Sequence, residues 1–345
     1  MQIQEFFAGI NDPRLDRHKL HSIEDILTLT LLALICGVKS WENIELFGKT
    51  KQQELSAVLG LKNGVPSHDT IEGVFSMVNP LEFNSRFIEW TRSLSQVKGD
   101  LIAIDGKTAR RTHKSRDKSD ARHIISAWAS QNRLVLGQFS TLGKGHEITG
   151  IKQLLAKLDI SGSVISIDAI GCQKEIARQI IEQGADYILA VKDNQGQLRK
   201  ELEESFLRQN QLETDIQLDK GHGRIETRIS SVINNMSWID SPELWPQIKS
   251  LIRIESTREI AGVKQHQTRY YISSLKENPG VNKLIRSHWS IENTLHWTLD
   301  MVFREDECRK RKGYSAENFT LVTKIAFNLL KRDKRRITGV GKQHL

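Results

Sequence analysis

The chain has little cysteine: Cys36, Cys172 and Cys308 stand far apart, with no CxxC pair among them. That spacing suggests neither a zinc knuckle nor a disulfide framework and fits reduced thiols in a cytosol. Long apolar runs are also missing. The most apolar stretch, "ILTLTLLALICGV", covers 13 residues, whereas a membrane-spanning helix needs about 20. It reads as a core helix. The N-terminus "MQIQEFFAGINDPRLDRH" carries acids and no apolar run, so no signal peptide, no membrane partner and a cytoplasmic location are expected. There is no internal repeat and no low-complexity linker.

Positive charge is present in excess and is clustered. The formal net charge is +8. From Arg304 to Leu345 there are 12 Lys/Arg against 5 Asp/Glu, and from Lys107 to Arg122 there are 7 against 2. The remainder of the chain is net acidic, so the cations are gathered where phosphates could be met.

With 345 residues the chain has room for two or three domains. Residues 1–95 read as a small all-helical domain. "SIEDILTLTLLALICGV" offers Ser22 as N-cap, Asp25 three residues on, and Gly37 as terminator. "GVPSHDTIEGVFSMV" offers Ser67 or Asp69 as the cap of another helix. Such a unit suits DNA contact, although its periodicity fits any small bundle. From residue 99 the pattern becomes strand, hairpin, helix, strand, helix, strand, helix, with Gly184 closing one helix. This is an α/β arrangement over 96–209, resumed over 281–335. Residues 210–280 read as a mostly β insertion, with strands in "HGRIETRISSVIN", "IKSLIRIESTREI" and "HQTRYYISSL" around an "AGVKQ" turn. "NKLIRSHWSIENTLHWTLDMVF" reads as helix, followed by a basic helix and a basic tail at 336–345.

Two short apolar strands end in an acid, "LIAID" at Asp105 and "VISID" at Asp168. Strand C-terminal ends are where α/β folds place ligands. Two carboxylates brought together repel unless a cation lies between them, and oxygen donors without a His/Cys cluster suit magnesium or manganese. Each Asp could instead merely cap the turn that follows it. A third acid is expected from elsewhere. Glu292 in "RSHWSIENTLHW" sits among Trp289, Leu295 and Trp297, an expensive place for an unpaired carboxylate. It could pair with His288 or His296 four residues away, or the three could form a zinc face, though they lack the HExxH spacing. Glu226 in "HGRIETR" is a weaker rival. Trp128, Trp289 and Trp297 could stack on bases or pack in a core.

The stretches "IAIDGKTARR", "VISIDAIGCQKEIARQIIEQGADYILAVKDNQ", "GHGRIETR", "HWSIENTLHWTLDMVFREDECRKRKG" and "ENFTLVTKIAFNLLKRDK" together resemble the insertion-sequence DDE transposases, in the branch of the H-repeat-associated proteins. In front, "DPRLDRHKLHSIEDILTLTLLALICGVKSWENIELFGK" resembles the helical domain that accompanies these catalytic domains. The resemblance runs from about residue 10 to 335. It implies a ribonuclease-H-like core with Asp105, Asp168 and Glu292 as the acidic triad. It also implies two magnesium ions, with manganese as substitute, and strand cleavage and transfer on double-stranded DNA, at terminal inverted repeats and target. A homodimer on DNA is implied as well, cytoplasmic and at the nucleoid when bound.

Around the last Glu the wider clan has Tyr, Arg and Lys. Here those positions hold Ile285, His288 and Leu299. Phosphate contacts then fall to Lys107, Arg110, Arg111, Arg286, His288 and the run Arg309, Lys310, Arg311 and Lys312. The C-terminal "RRITGVGKQHL" departs from the family tail. An inactive or domesticated relative that only binds DNA, and a plain magnesium nuclease, fit the same residues.

Overall fold

A computed structural model describes residues 3–94, 96–113, 116, 119–209, 212–221, 224–260, 262–276 and 280–333. The expected tail at 336–345 lies outside the described residues. Six helices come first: α1 (Ile3–Ala8), α2 (Ile23–Ile35), α3 (Trp41–Thr50), α4 (Gln52–Leu55), α5 (His68–Met77) and α6 (Pro80–Leu94). The caps expected from the sequence form. Ser22 Oγ accepts the Asp25 N–H at 3.1 Å, Ser67 Oγ accepts the Thr70 N–H at 3.3 Å, and Gly37 follows α2 at φ +83°.

Then come β1 (Leu101–Thr108), β2 (Arg122–Ala129), β3 (Leu134–Leu142), α7 (Glu147–Leu155), β4 (Val164–Ile167), α8 (Lys174–Glu182), β5 (Asp186–Val191) and α9 (Gly196–Arg208). Four strands follow, β6 (Glu213–Gly221), β7 (Arg224–Ile233), β8 (Ser250–Ile260) and β9 (Val263–Ser273). The chain ends in α10 (Val281–His288), a π-helical turn (Ile291–His296), α11 (Trp297–Met301) and α12 (Ser315–Arg332).

Among the described residues the strands form one mixed sheet in the order β3-β2-β1-β4-β5-β9-β8-β7-β6. β1, β4 and β5 are parallel neighbours. β4, β5 and the first half of β1 are mostly buried and apolar, as expected of strands covered on both faces. β6 to β9 form an antiparallel meander that continues the same sheet from β5. β6, "ETDIQLDKG", is a fourth strand where the sequence suggested three in this region. It is an edge strand whose Ile216 and Leu218 are exposed, so no burial pattern marks it.

One face of β1–β5 packs on α7 and α8 through Ile102, Ile104, Ile125, Ile165 and Ile167. The other face, with Leu101, Ala103 and Trp128, shares one continuous core with α12 and with the helices of the first 94 residues. Each of these fully buried Leu or Ile side chains contributes about 1.5–3 kcal/mol. α12 was expected as a basic helix, but Ser315–Asn328 are buried without interruption. Its polar residues are used inside. Asn328 Oδ1 accepts the Val135 N–H and its Nδ2 donates to Val135 O, both at 2.9 Å. Asn84 Oδ1 accepts the Gln138 N–H at 3.1 Å, and Thr91 Oγ1 donates to Leu136 O at 2.9 Å. Helical side chains thus satisfy the free edge of β3, where Leu136 forms a bulge opposite Ala127 and Trp128.

Candidate active site

Asp105 lies on β1 and shares the α12-facing side of the sheet with Lys107, because strand side chains alternate. Its Oδ1 accepts the Gly106 N–H at 2.9 Å. Asp168 follows the last residue of β4, the strand paired in parallel with β1, and its Oδ1 accepts the Ile170 N–H at 3.2 Å. The capping role weighed from the sequence is therefore real, and it leaves the second carboxylate oxygen uncommitted to that turn. Glu292 comes from the π-helical turn and is exposed. The sequence suggested one continuous helix here. Instead the i to i+5 pattern widens the helix where Glu292 leaves it, a device often found at functional sites.

All three acids line one cleft of about 1080 Å³. Burial raises the Asp105 carboxyl, and the nearby negative charges of Asp168 and Glu292 raise it further, to about 7. Burial and the charge of Glu147 also raise Asp168, while Lys192 and Lys144 pull it back. His296 Nδ1 is 3.5 Å from Asp105 Oδ2. Burial, with Lys324 and Lys107 nearby, lowers His296 to about 3, so it adds no positive charge. Burial lowers His288 to about 4. The pairing of Glu292 with protonated histidines is accordingly not what balances these acids at neutral pH.

Among the described residues no group of three or more His, Cys, Asp or Glu is arranged to hold a metal ion as it stands. The donor set nonetheless fits one. Three carboxylates line one cleft, and a hard divalent cation would offset both the burial and the neighbouring charges that lift Asp105.

The cationic candidates separate into groups. His288 lines the cleft but is buried and uncharged. Lys107 is held by Asp300, by Glu305 at 2.9 Å and by Asp306 at 3.5 Å. Arg110 Nε is 3.4 Å from Asp306, and Arg286 pairs with Asp219. Lys310 is buried, its Nζ 4.3 Å over Trp41 and 3.8 Å over Phe319, and it donates to Lys39 O. Arg311 Nε donates to the carbonyl of Arg111, Lys312 is 3.9 Å from Glu72, and Arg309 is exposed. None of Lys107, Arg110, Arg111, Arg286 and Arg309 to Lys312 lines the cleft.

Cations that the sequence did not single out do line it: Lys192, Arg199, Arg228, Arg258 and Arg269. Three of them sit on β7, β8 and β9, whose register brings them to one wall. Arg228 lies opposite Ser256, Arg258 opposite Gln265, and Ile254 opposite Arg269. The guanidiniums of Arg269 and Arg228 stack over Trp289 at 4.4 and 5.5 Å. Glu226, the rival third acid, is bound to Arg228 at 2.6 Å. Trp128 is buried, donating to Ser290 Oγ at 2.8 Å, whereas Trp297 is exposed.

Residues 96–329 match the Transposase DDE domain family, and residues 4–91 match the DDE_Tnp_1-associated family. Over 344 residues the chain is 41% identical to the "Putative protein YbfL" of Escherichia coli (strain K12), covering 96% of this chain and 91% of that one. It is 40% identical, also over 344 residues, to the "H repeat-associated putative transposase YhhI" of the same strain, again covering 96% and 91%. The cryo-EM structure of the piggyBac transposase synaptic complex with hairpin DNA overlaps with a TM-score of 0.43 at 13% identity, over 97% of this chain and 73% of that one, a likeness too slight to carry an argument.

Proposed function

The chain belongs to the insertion-sequence DDE transposases, in the H-repeat-associated branch, and from that membership we propose that it cleaves and joins DNA strands at the ends of its element. The observation that carries this reading is the convergence of Asp105, Asp168 and Glu292 on one cleft, where burial first, and then the charges of Asp168 and Glu292, lift Asp105 to about 7. The strand order β3-β2-β1-β4-β5 supports a ribonuclease-H-like frame for them, and β6–β9 would be the insertion before the last acid.

Asp105, Asp168 and Glu292 would hold magnesium, two ions by family likeness, with manganese as substitute. When bound, the metal supplies Lewis-acid stabilisation of the phosphate in transfer and lowers the pKa of the attacking hydroxyl. The chain's own residues do the rest. Gly106 and Ile170 amides hold the two Asp side chains in place. Buried, neutral His288 and His296 wall the acids without competing cations. Lys192, Arg258 and Arg269 line the same cleft as the acids, where they would neutralise flanking phosphates of duplex DNA. The cluster at Lys107 and Arg110 is engaged by Asp300, Glu305 and Asp306, which makes its first role the bracing of β1 against the Asp300–Asp306 segment. A dimer on paired ends completes the proposal.

The test is a cleavage and joining assay on labelled duplex carrying the element's ends, with magnesium. Wild type should nick and join, and Asp105→Ala, Asp168→Ala and Glu292→Gln should each bind the duplex without cutting it. Metal-dependent cutting by any one variant would remove that residue from the triad. Specific binding without cutting by wild type would favour the DNA-binding relative.

A further inference from the structure

Asp105 and Asp168 are each held by a backbone amide, whereas Glu292 rides on a helical turn and its place depends on how that turn is docked. Ile291 and Leu295 bury the apolar side of the turn. Apolar contact is non-directional, so it fixes burial rather than register. A chain of directed hydrogen bonds lies just ahead of the turn. Trp128 Nε1 donates to Ser290 Oγ at 2.8 Å. Ser290 Oγ donates to Ser130 Oγ at 3.1 Å, and Ser130 Oγ donates to the carbonyl of Ser287 at 3.3 Å. Each hydroxyl accepts one bond and passes its single proton to the next.

One end of the chain is the sheet. Trp128 is fully buried and lies opposite Ala103 of β1, two residues before Asp105 and on the same side of the strand. The bulge at Ala127 and Trp128 is a feature that re-aims side chains beside sites. Ser130 is tied to β1 as well, its N–H donating to Leu101 O at 2.9 Å. The other end is the junction where α10 gives way to the π-helical turn. The Trp289 carbonyl still accepts from Asn293, four residues on, at 2.9 Å, while the Glu292 carbonyl accepts from Trp297, five residues on. The helix therefore widens within a few residues of Ser290, with Glu292 in the widened turn. Burial of Trp128 requires an acceptor for its N–H, but not that the acceptor be linked onward. Ser130 and Ser290 are only partly buried, so water could serve them, yet they close a chain back onto α10.

We propose that Trp128, Ser130 and Ser290 are positioning residues for Glu292: the chain they form ties the α10 junction to the strand pair that carries Asp105, and so sets the spacing of the first and last acids. The inference rests on the triad reading of Asp105, Asp168 and Glu292.

The experiment compares full-length wild type, Ser290→Ala and Ser290→Thr by amide hydrogen exchange without metal or DNA, and by duplex binding and cutting with magnesium. Ser290→Ala deprives the Trp128 N–H of its acceptor and cuts the chain. Amides over 291–297 should exchange about 10-fold faster, with β2 and α12 unchanged. Duplex affinity should stay at the wild-type level while the cutting rate falls by up to about 100-fold, the cost of a displacement near 1 Å. Ser290→Thr keeps the hydroxyl and should restore both readings. A merely structural contact would instead speed exchange across β2 and α12 and leave the cutting rate of folded protein unchanged. That pattern, or unchanged exchange over 291–297, overturns the proposal. Where Ser290→Ala does not fold, Ser130→Ala decides, since it removes only the link to Ser287. Faster exchange over 291–297 supports the proposal and wild-type exchange refutes it. Exchange needs neither metal nor cutting, so it decides by itself where wild type does not cut. Glu292→Gln separates the two levels of the argument. If it cuts like wild type, the triad reading fails; if it does not cut while Ser290→Ala cuts at the wild-type rate, only the role of the hydrogen-bond chain fails.

Discussion

The two ends of the sheet are built to different rules. In β1–β5 nearly every residue of β2, β4 and β5 is buried, helices cover both faces, and side chains from α6 and α12 close the edge at β3. In the meander burial fades along each strand. β8 begins buried and ends exposed, β9 runs the other way, and β6 is an open edge with exposed Ile216 and Leu218. The first half is a packed frame that sets Asp105, within β1 just past its pairing with β4, beside Asp168, which follows the end of β4. The second half is thinly packed and contributes Arg228, Arg258 and Arg269 to the lining of the same cleft. Precise placement needs a dense core, whereas contact with a long polyanion needs exposed cations.

That contrast can be broken by mutation. The largest effect on stability is expected inside the frame. Ile167→Ala or Leu189→Ala, at fully packed positions, should destabilise by about 2–5 kcal/mol, measured by guanidinium unfolding. Leu218→Ala on the open edge should stay within about 0.5 kcal/mol. Equal losses at the two ends would dissolve the distinction.

A smaller effect comes from Lys324 of α12. This amine is fully buried, donating to Ser126 Oγ at 2.8 Å and Gln138 Oε1 at 2.7 Å. Burial lowers it to about 7, with Glu305 raising it and Lys107 lowering it. Between that value and the ordinary lysine value the unfolded chain carries a proton that the folded chain lacks. Stability therefore rises with pH across this window, and the cost is constant below it. Unfolding at pH 7 and pH 9 should show the rise in wild type and a flatter response in Lys324→Met. An equal response in both would show that the amine stays charged inside.

The smallest stability effect belongs to the wall of the cleft. Arg258→Ala, at an exposed position, should change unfolding by less than about 0.5 kcal/mol. Duplex binding should weaken, and the slope of log affinity against log salt should fall by about 1. An unchanged slope would place the DNA elsewhere.

Much of the frame was legible in the sequence because burial on both faces leaves continuous apolar runs, and "LIAID" and "VISID" carried their acids at the ends. Ser22, Ser67 and Gly37 were legible because capping is local. What was hidden depends on partners distant in the chain. Lys107 looked like a free cation until Asp300, Glu305 and Asp306 met it. Lys310 was expected to meet phosphate but packs against Trp41 and Phe319. Arg228, Arg258 and Arg269 are scattered along three strands and become one wall only through register.

The central claim is that Asp105, Asp168 and Glu292, remote in sequence, form one metal site. Iron(II) placed in that site, with ascorbate and peroxide, generates hydroxyl radicals that cut the nearest backbone. The account predicts cuts clustered near residues 105, 168 and 292, suppressed by excess magnesium and lost in Asp168→Ala. Cuts that fall elsewhere, or that persist unchanged in Asp168→Ala, would contradict it.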